Sequence, residues 1–378
     1  MPTDHAKLSA SASHRWLHCT AAPTLEAQFP QNDTKYTKEG TLAHTLAEEY
    51  VRKLRGETIE CPCEVDDPVM HECASKYAAY VMSVLASKSS DAALFLEEKL
   101  TFGEFVPHGF GTADCLVIAD DLCEVIDFKY GAHVQVSPED NPQMKIYALG
   151  VYAEFGQIYN IERFKLTIFQ PRMNDEAQSW NISVADLLAW GEWMKPIARA
   201  AYDGPGRYCV DTDVCRFCKA NGRCQGQYDH YKGLFDMADQ IDPQTMSPEL
   251  RAEILNKANG LKTWLNKVEN GVSASLMLGE TIPGWKIVEG RADRKITDAK
   301  KAIDVLTKAG FTESDICETN IVGITALEKL VGKKKLPEIL GDLLVKPTGK
   351  PTLVQESDKR SALQLSTQML DAFDDNNE

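Results

Sequence analysis

The stretch "GTADCLVIADDLCEVIDFKYG", residues 111–131, decides the fold. It holds two short apolar runs, "ADCLVIA" (113–119) and "LCEVIDFK" (122–129), parted only by Asp120 and Asp121. An acidic pair suits a tight turn, so the runs predict an antiparallel hairpin. Side chains two apart on a strand share a face. Asp127 and Lys129 therefore point the same way at the end of the second strand, and pairing brings Asp114 of the first strand to that end. Two carboxylates so placed repel unless a cation lies between them. Mg²⁺ or Mn²⁺, hard ions that prefer oxygen, are the natural choice. Lys129 would orient an attacking water or steady charge on a phosphate oxygen.

Outward from the hairpin, "LFLEEKL" (94–100) predicts a third strand and "RFKLTIFQPR" (163–172) a fourth. Residues 36–54 predict a helix beginning near Gly40 or Thr41, with Leu42, Leu46, Tyr50 and Leu54 as its apolar stripe. Residues 56–74 read as irregular, followed by a helix over "KYAAYVMSVLASK" (76–88). Further helices are expected over 142–155, with Pro142 in the first turn, and over 184–202. The order helix, three strands, helix, strand, helix makes a mixed α/β domain. Ser247 and Pro248 start a long helix running to about Leu278. A small α+β unit closes the chain, with a strand at "GWKIVEG" (284–290) and helices near 298–309 and 324–331.

The 378 residues allow one large domain and a smaller one. The expected division is 1–230, a connecting helix over 231–280, a small domain over 281–360, and an acidic, disordered tail over 361–378. No run of eighteen apolar residues and no leader-like start is present, so a cytoplasmic location with reduced thiols is expected and no membrane partner. The eleven cysteines are then thiols or metal ligands rather than disulfides. The net charge of −15 speaks against a nucleic-acid partner, yet Lys and Arg outnumber Asp and Glu, 13 against 10, over 284–350. An acidic protein with a locally basic groove can still bind DNA.

"GTAD" (111–114), with "DFK" (127–129) twelve residues on, resembles the PD-(D/E)XK nuclease superfamily. "GTLAH" (40–44) is similar to the Gly-Thr-x-x-His element of its RecB-like branch, and "QMKIY" (143–147) to that branch's Gln-x-x-x-Tyr motif. Singly, each element is ordinary helix or strand surface; their ordered occurrence carries the resemblance. It implies a central mixed sheet flanked by helices, and a metal site of His44, Asp114, Asp127 and the Phe128 carbonyl holding one or two Mg²⁺ or Mn²⁺ ions. Lys129 would assist catalysis, and Gln143 and Tyr147 would line the DNA side.

"CRFCKANGRC" supplies Cys215, Cys218 and Cys224, one short of a four-coordinate site. Cys209 nearby or Cys19 far upstream could supply the fourth ligand. The iron–sulfur members of the RecB-like branch, AddB-type and CRISPR-adaptation exonucleases, use one cysteine before the core and three after it. That resemblance implies a [4Fe–4S] cluster on Cys19, Cys215, Cys218 and Cys224, stapling the domain's ends, with Zn²⁺ as the alternative. Cys61, Cys63, His71 and Cys73 form a second group, read as free thiols in a loop, and Cys115 and Cys123 as small core residues.

Lys333, Lys334, Lys335, Lys346 and Lys350 are candidates for contact with a phosphate backbone. The chain as a whole resembles an uncharacterised family common in phages and prophages. The implied function is a DNA exonuclease acting at duplex ends in a bacterial host, with a single-strand-annealing recombinase as a candidate partner and an oligomer as a candidate assembly. The rivals are an inactive DNA-end-binding protein and a zinc-stabilised interaction module.

Overall fold

A computed structural model describes residues 6–29, 35–60, 62–174, 176–238, 247–286, 288, 299–308 and 324–343. Contacts divide the chain into two units, 1–288 and 289–378.

In the first unit, α1 (Ser13–His18), α2 (Ala22–Glu26), α3 (Lys35–Leu54) and α4 (Pro68–Ala86) precede a five-stranded sheet. Its strands are β1 (Ala93–Thr101), β2 (Phe110–Ala119), β3 (Leu122–Phe128), β4 (Arg163–Phe169) and β5 (Gln178–Ser183), in that spatial order. β3 and β4 run parallel and every other pair antiparallel. The expected β2–β3 hairpin is present, and its turn residue Asp120 takes φ 54, which Asp tolerates better than most residues. A parallel pair needs a long crossover, and α5 (Pro142–Phe155) makes it. Asn141 caps α5, its side chain accepting from the N–H groups of Gln143 and Met144, ahead of Pro142 in the first turn. α6 (Val184–Asp203) follows β5. α7 (Thr212–Arg216), α8 (Gln225–Ala238) and α9 (Pro248–Met277) complete the unit.

The sheet is buried on both faces. Leu116, Ile118, Val125 and Leu166 pack against Met144, Ile146 and Leu149 of α5 and Leu187 and Met194 of α6. On the other face Val117, Ile126 and Phe128 meet Leu46 and Val51 of α3 and Ala74, Tyr77 and Val81 of α4. Helices on both faces of a sheet are the layered α/β arrangement expected.

The side-chain alternation breaks at one level of the sheet. Leu94 and Leu96 of β1 pack on the α3–α4 side, but Leu100 packs on the α5–α6 side. Residues an even number apart share a face unless the strand is interrupted. The interruption is Glu97, at φ 49. On β2, Ala113 and Leu116 share the α5–α6 side although they stand three apart, so both strands reverse at this level.

Several elements differ from expectation. β5 is one the sequence does not predict: "QSWNIS" is short and mostly polar, and it pairs with β4 at the sheet's edge. α4 starts at Pro68, inside the stretch expected to be irregular, because the Asp67 side chain accepts from the N–H groups of Val69 and Met70 at 2.9 and 3.2 Å. α3 buries Ala43, Leu46, Ala47 and Val51, whereas Leu42 and Leu54 are exposed. Its alanines, with Ala74 and Ala78 of α4, line one apolar core. β4 ends at Phe169, where Gln170 turns away to pin the loop after β3. Its amide donates to the carbonyls of Gly131 and Val134 and accepts from the Val136 N–H.

The long helix is present, capped by the Ser247 hydroxyl accepting from the Leu250 N–H. Residues 284–286 of the expected "GWKIVEG" strand are not strand, and positions 287, 289 and 290 lie outside the described residues, as does the acidic tail. The second unit contains α10 (Ala299–Lys308), α11 (Ile324–Val331) and α12 (Lys335–Leu340). Among the described residues no helix is long and apolar enough to cross a membrane.

Candidate active site

The pairing register sets three carboxylates in a row. Leu96 pairs with Cys115 and Glu98 with Ala113, so Glu97 of β1 stands opposite Asp114 of β2. Cys115 pairs with Ile126, and one step further along sets Asp114 opposite Asp127 of β3. Like charges directly across a ladder repel.

His44, from the middle of α3, closes over this row. Its Nδ1 lies 3.3 Å from Asp114 Oδ1, and its ring meets Phe128 edge-on with centroids 5.5 Å apart. The other Asp114 oxygen accepts from the Phe128 N–H at 2.7 Å, which ties β2 to the end of β3. One ligand atom each from His44, Glu97 and Asp114 lie within 4.8 Å of one another.

Asp127 falls outside that trio and is held by Lys129 and Gln143. It is 3 % exposed; its Oδ1 accepts from Gln143 Nε2 at 3.2 Å, and its Oδ2 faces Lys129 Nζ at 2.9 Å. Lys129 Nζ also donates to Gln143 Oε1 at 3.3 Å. Gln143 thus bridges the acid and the base, and donates on to the Tyr147 hydroxyl at 3.4 Å. The Tyr147 ring is buried in the α5-side core, so it meets the site through Gln143 rather than standing in solvent. A Cβ on Gly111 would sit 3.2 Å from the Tyr147 ring, which gives the glycine of "GTAD" a packing reason.

Charges follow from this geometry. Burial disfavours the His44 imidazolium, but Asp114, by charge and hydrogen bond, and Asp127 beyond it push its pKa up to about 9. Burial, then Asp114, push Glu97 up to about 7. Burial raises Asp127 above the usual carboxylate range against the pull of Lys129. Asp114, although buried, is held below that range by His44, then Lys129 and the Phe128 N–H. Burial disfavours the charge on Lys129, but Asp127 and Asp114 outweigh it, so the side chain is a fixed cation and not a base. Without a metal, the acids hold their compensating proton on His44. One imidazole and a row of carboxylates are a donor set that Mg²⁺ or Mn²⁺ fits.

Two residues of the site, Glu97 and Tyr77, are not among those the sequence motifs mark. The doubled acid in the middle of "LFLEEKL" is the available signal for the first. Tyr77, on α4, is 2 % exposed, with its hydroxyl beside the Cys115 thiol; the residue lines one pocket with His44, Glu97, Asp114 and Phe128.

A second cavity is lined by Cys19, Cys209, Cys215, Cys218 and Cys224. The N-terminal segment reaches it through Thr20 Oγ1, which accepts from the Arg207 N–H, and Glu26, which accepts from the Lys219 N–H. Burial pushes the Cys218 thiol up to about 12 and raises Cys215, with Cys19 and Cys224 opposing its ionisation further. These thiols share a cavity, but among the described residues the group of His, Cys, Asp or Glu ligand atoms that converges within 4.8 Å is His44, Glu97 and Asp114, not the cysteines. In the other cysteine group, His71 and Cys73 stand on α4 rather than in the expected loop; His71 spends both ring nitrogens, on the Tyr50 hydroxyl and the Val65 carbonyl, and Cys73 is buried. Cys61 lies outside the described residues. Cys115 and Cys123 are fully buried, as expected. Lys333, Lys334 and Lys335 are exposed, and Lys346 and Lys350 lie outside the described residues.

Residues 5–361 match the family described as "Protein of unknown function (DUF2800)". Among solved structures, an alkaline exonuclease (LHK-Exo) from Laribacter hongkongensis is 13% identical, with 59% of this chain and 96% of that chain covered, at a TM-score of 0.24. LHK-Exo in complex with dAMP is 13% identical over 50% of this chain and 91% of that one, with a TM-score of 0.25. The structure of SSO0001 is 14% identical over 55% and 95%, with a TM-score of 0.22. TM-scores this low do not establish a shared fold.

Proposed function

The chain belongs to the DUF2800 family, and we propose that it is a divalent-metal-dependent DNA exonuclease. The observation that carries this reading is the join of His44 Nδ1 to Asp114 at 3.3 Å beside an Asp127–Lys129 pair at 2.9 Å, at one end of the sheet. An imidazole, a row of acids and a fixed cation together suit phosphodiester hydrolysis. His44, Asp114, Asp127 and the Phe128 carbonyl would hold Mg²⁺ or Mn²⁺, which supplies a polarised phosphate and a more acidic water. Lys129, kept protonated by Asp127 and Asp114, places positive charge where the phosphate gains negative charge. Gln143 keeps Lys129 and Asp127 in register by donating to the acid and accepting from the base.

Cys19, Cys215, Cys218 and Cys224 would bind the [4Fe–4S] cluster, joining the N-terminal segment to the loop after α7. The single strand left by resection would suit an annealing recombinase, the expected partner in a phage or prophage setting.

The test is digestion of end-labelled duplexes with Mg²⁺ or Mn²⁺, each end blocked in turn. Shortening from a free end that stops in Asp114→Asn and Lys129→Ala is the expected result. Binding of ends without cleavage under every metal would leave only the end-binding reading.

A further inference from the structure

We infer that Glu97 is a ligand of the divalent cation, alongside His44 and Asp114. This rests on the metal-site reading above and adds a residue to it from a strand that the resemblance does not touch.

The ligand atoms of Glu97, His44 and Asp114 lie within 4.8 Å of one another, close enough for one ion to touch all three. Asp127, the other acid of that reading, lies outside this trio, against Lys129 and Gln143.

Charge favours the same assignment. Glu97 faces Asp114 across the ladder, and His44, which gives up its proton when it binds a metal, is the basic side chain that approaches both. Arg52, the arginine whose charge reaches Glu97, is engaged by Glu48 at 2.8 Å and Glu57 at 2.9 Å. Three carboxylates against Lys129 leave two negative charges, which one divalent ion balances.

Backbone shape agrees with this. A glutamate at φ 49 inside a strand is uncommon, because its Cβ crowds the backbone there. The reversal of the strand faces at this residue sets Glu97 at the level of Asp114 and His44.

The test is calorimetric titration of Mn²⁺ into the metal-free full chain. Wild type binds; Glu97→Gln loses at least tenfold in affinity, while Glu98→Gln, its neighbour, retains it. Glu97→Gly loses the same affinity yet raises the melting temperature of the metal-free protein, because glycine adopts that φ without crowding. Glu97→Gln or Glu97→Gly binding Mn²⁺ as wild type does overturns the inference, even if the protein digests DNA. Glu97-dependent Mn²⁺ binding by a protein that cuts no DNA upholds it and removes only the nuclease reading. A wild-type chain that binds no Mn²⁺ removes both.

Discussion

The proton on His44 sets how tightly the site can hold a metal, and the size of that effect follows from the structure. A ligating imidazole must be neutral, so metal and proton compete. With the His44 pKa at about 9, only about one molecule in a hundred carries a neutral imidazole at pH 7. Apparent Mn²⁺ affinity should therefore rise about tenfold per pH unit between pH 7 and 9 and level off above. Below pH 7 the slope should steepen toward about two decades per unit, as Glu97, at about 7, also begins to hold a proton.

Stability of the metal-free protein gives a second reading with a fixed sign. The folded pKa of His44 exceeds its unfolded value of 6.5, so its contribution is complete below about pH 6.5 and lost as pH rises through 9. The shift corresponds to about 3 kcal/mol, less some screening for a side chain 31% exposed. Glu97, raised from 4.5 to about 7, adds a cost that appears as pH climbs through that range, so the two act in the same direction. Anaerobic calorimetry in buffers of different ionisation heat should count about one proton released per Mn²⁺ at pH 8. An affinity that does not vary with pH, or a slope unchanged in His44→Asn, would refute the reasoning.

Lys129→Met should remove the cation facing a buried carboxylate, raise the Asp127 pKa further, and cut any DNA cleavage at least a hundredfold, measured on end-labelled duplexes. Cys19→Ser should abolish the absorption near 400 nm that anaerobically purified wild type is expected to show, without touching His44 or Asp114; zinc without iron in the wild-type protein would replace the cluster by the zinc alternative. Asp67→Ala removes the cap of α4 and should cost about 1 kcal/mol, a fall of about 2–4 °C in melting temperature, with Mn²⁺ affinity unchanged.

The layered α/β architecture is legible because the hairpin advertises itself. Two apolar runs parted by two aspartates leave few alternatives, and Asn141-Pro142 marks the start of the crossover helix as plainly as Ser247-Pro248 marks α9. β5 is hard to read because an edge strand buries little: only Ile182 of its six residues is buried, and two apolar side chains, Trp180 and Ile182, are too few to set a period. The start of α4 does carry a mark, since Asp67 followed by Pro68 is a helix-start pair. The cysteines and acids just before it show no apolar period, and they give the whole stretch the look of a loop.

The site divides along the same physical line. Asp127, Lys129, Gln143 and Tyr147 lie on or beside regular elements, where spacing alone fixes which side chains meet, and the structure brings all four into one hydrogen-bonded chain. Glu97 lies where the strand stops obeying its own period. Under strict alternation it belongs on the face of Phe95, which packs toward the α5–α6 side, and so away from His44. Only the left-handed turn at that residue places its carboxylate with the imidazole, and a left-handed glutamate leaves no mark in a sequence that a left-handed glycine would have left. A strand that gives up its regular conformation at an acid, opposite another acid and beneath a histidine, is strained where a bound ion would compensate it. That is why the residue hardest to find from the sequence is also the one on which the metal reading can be tested most cleanly.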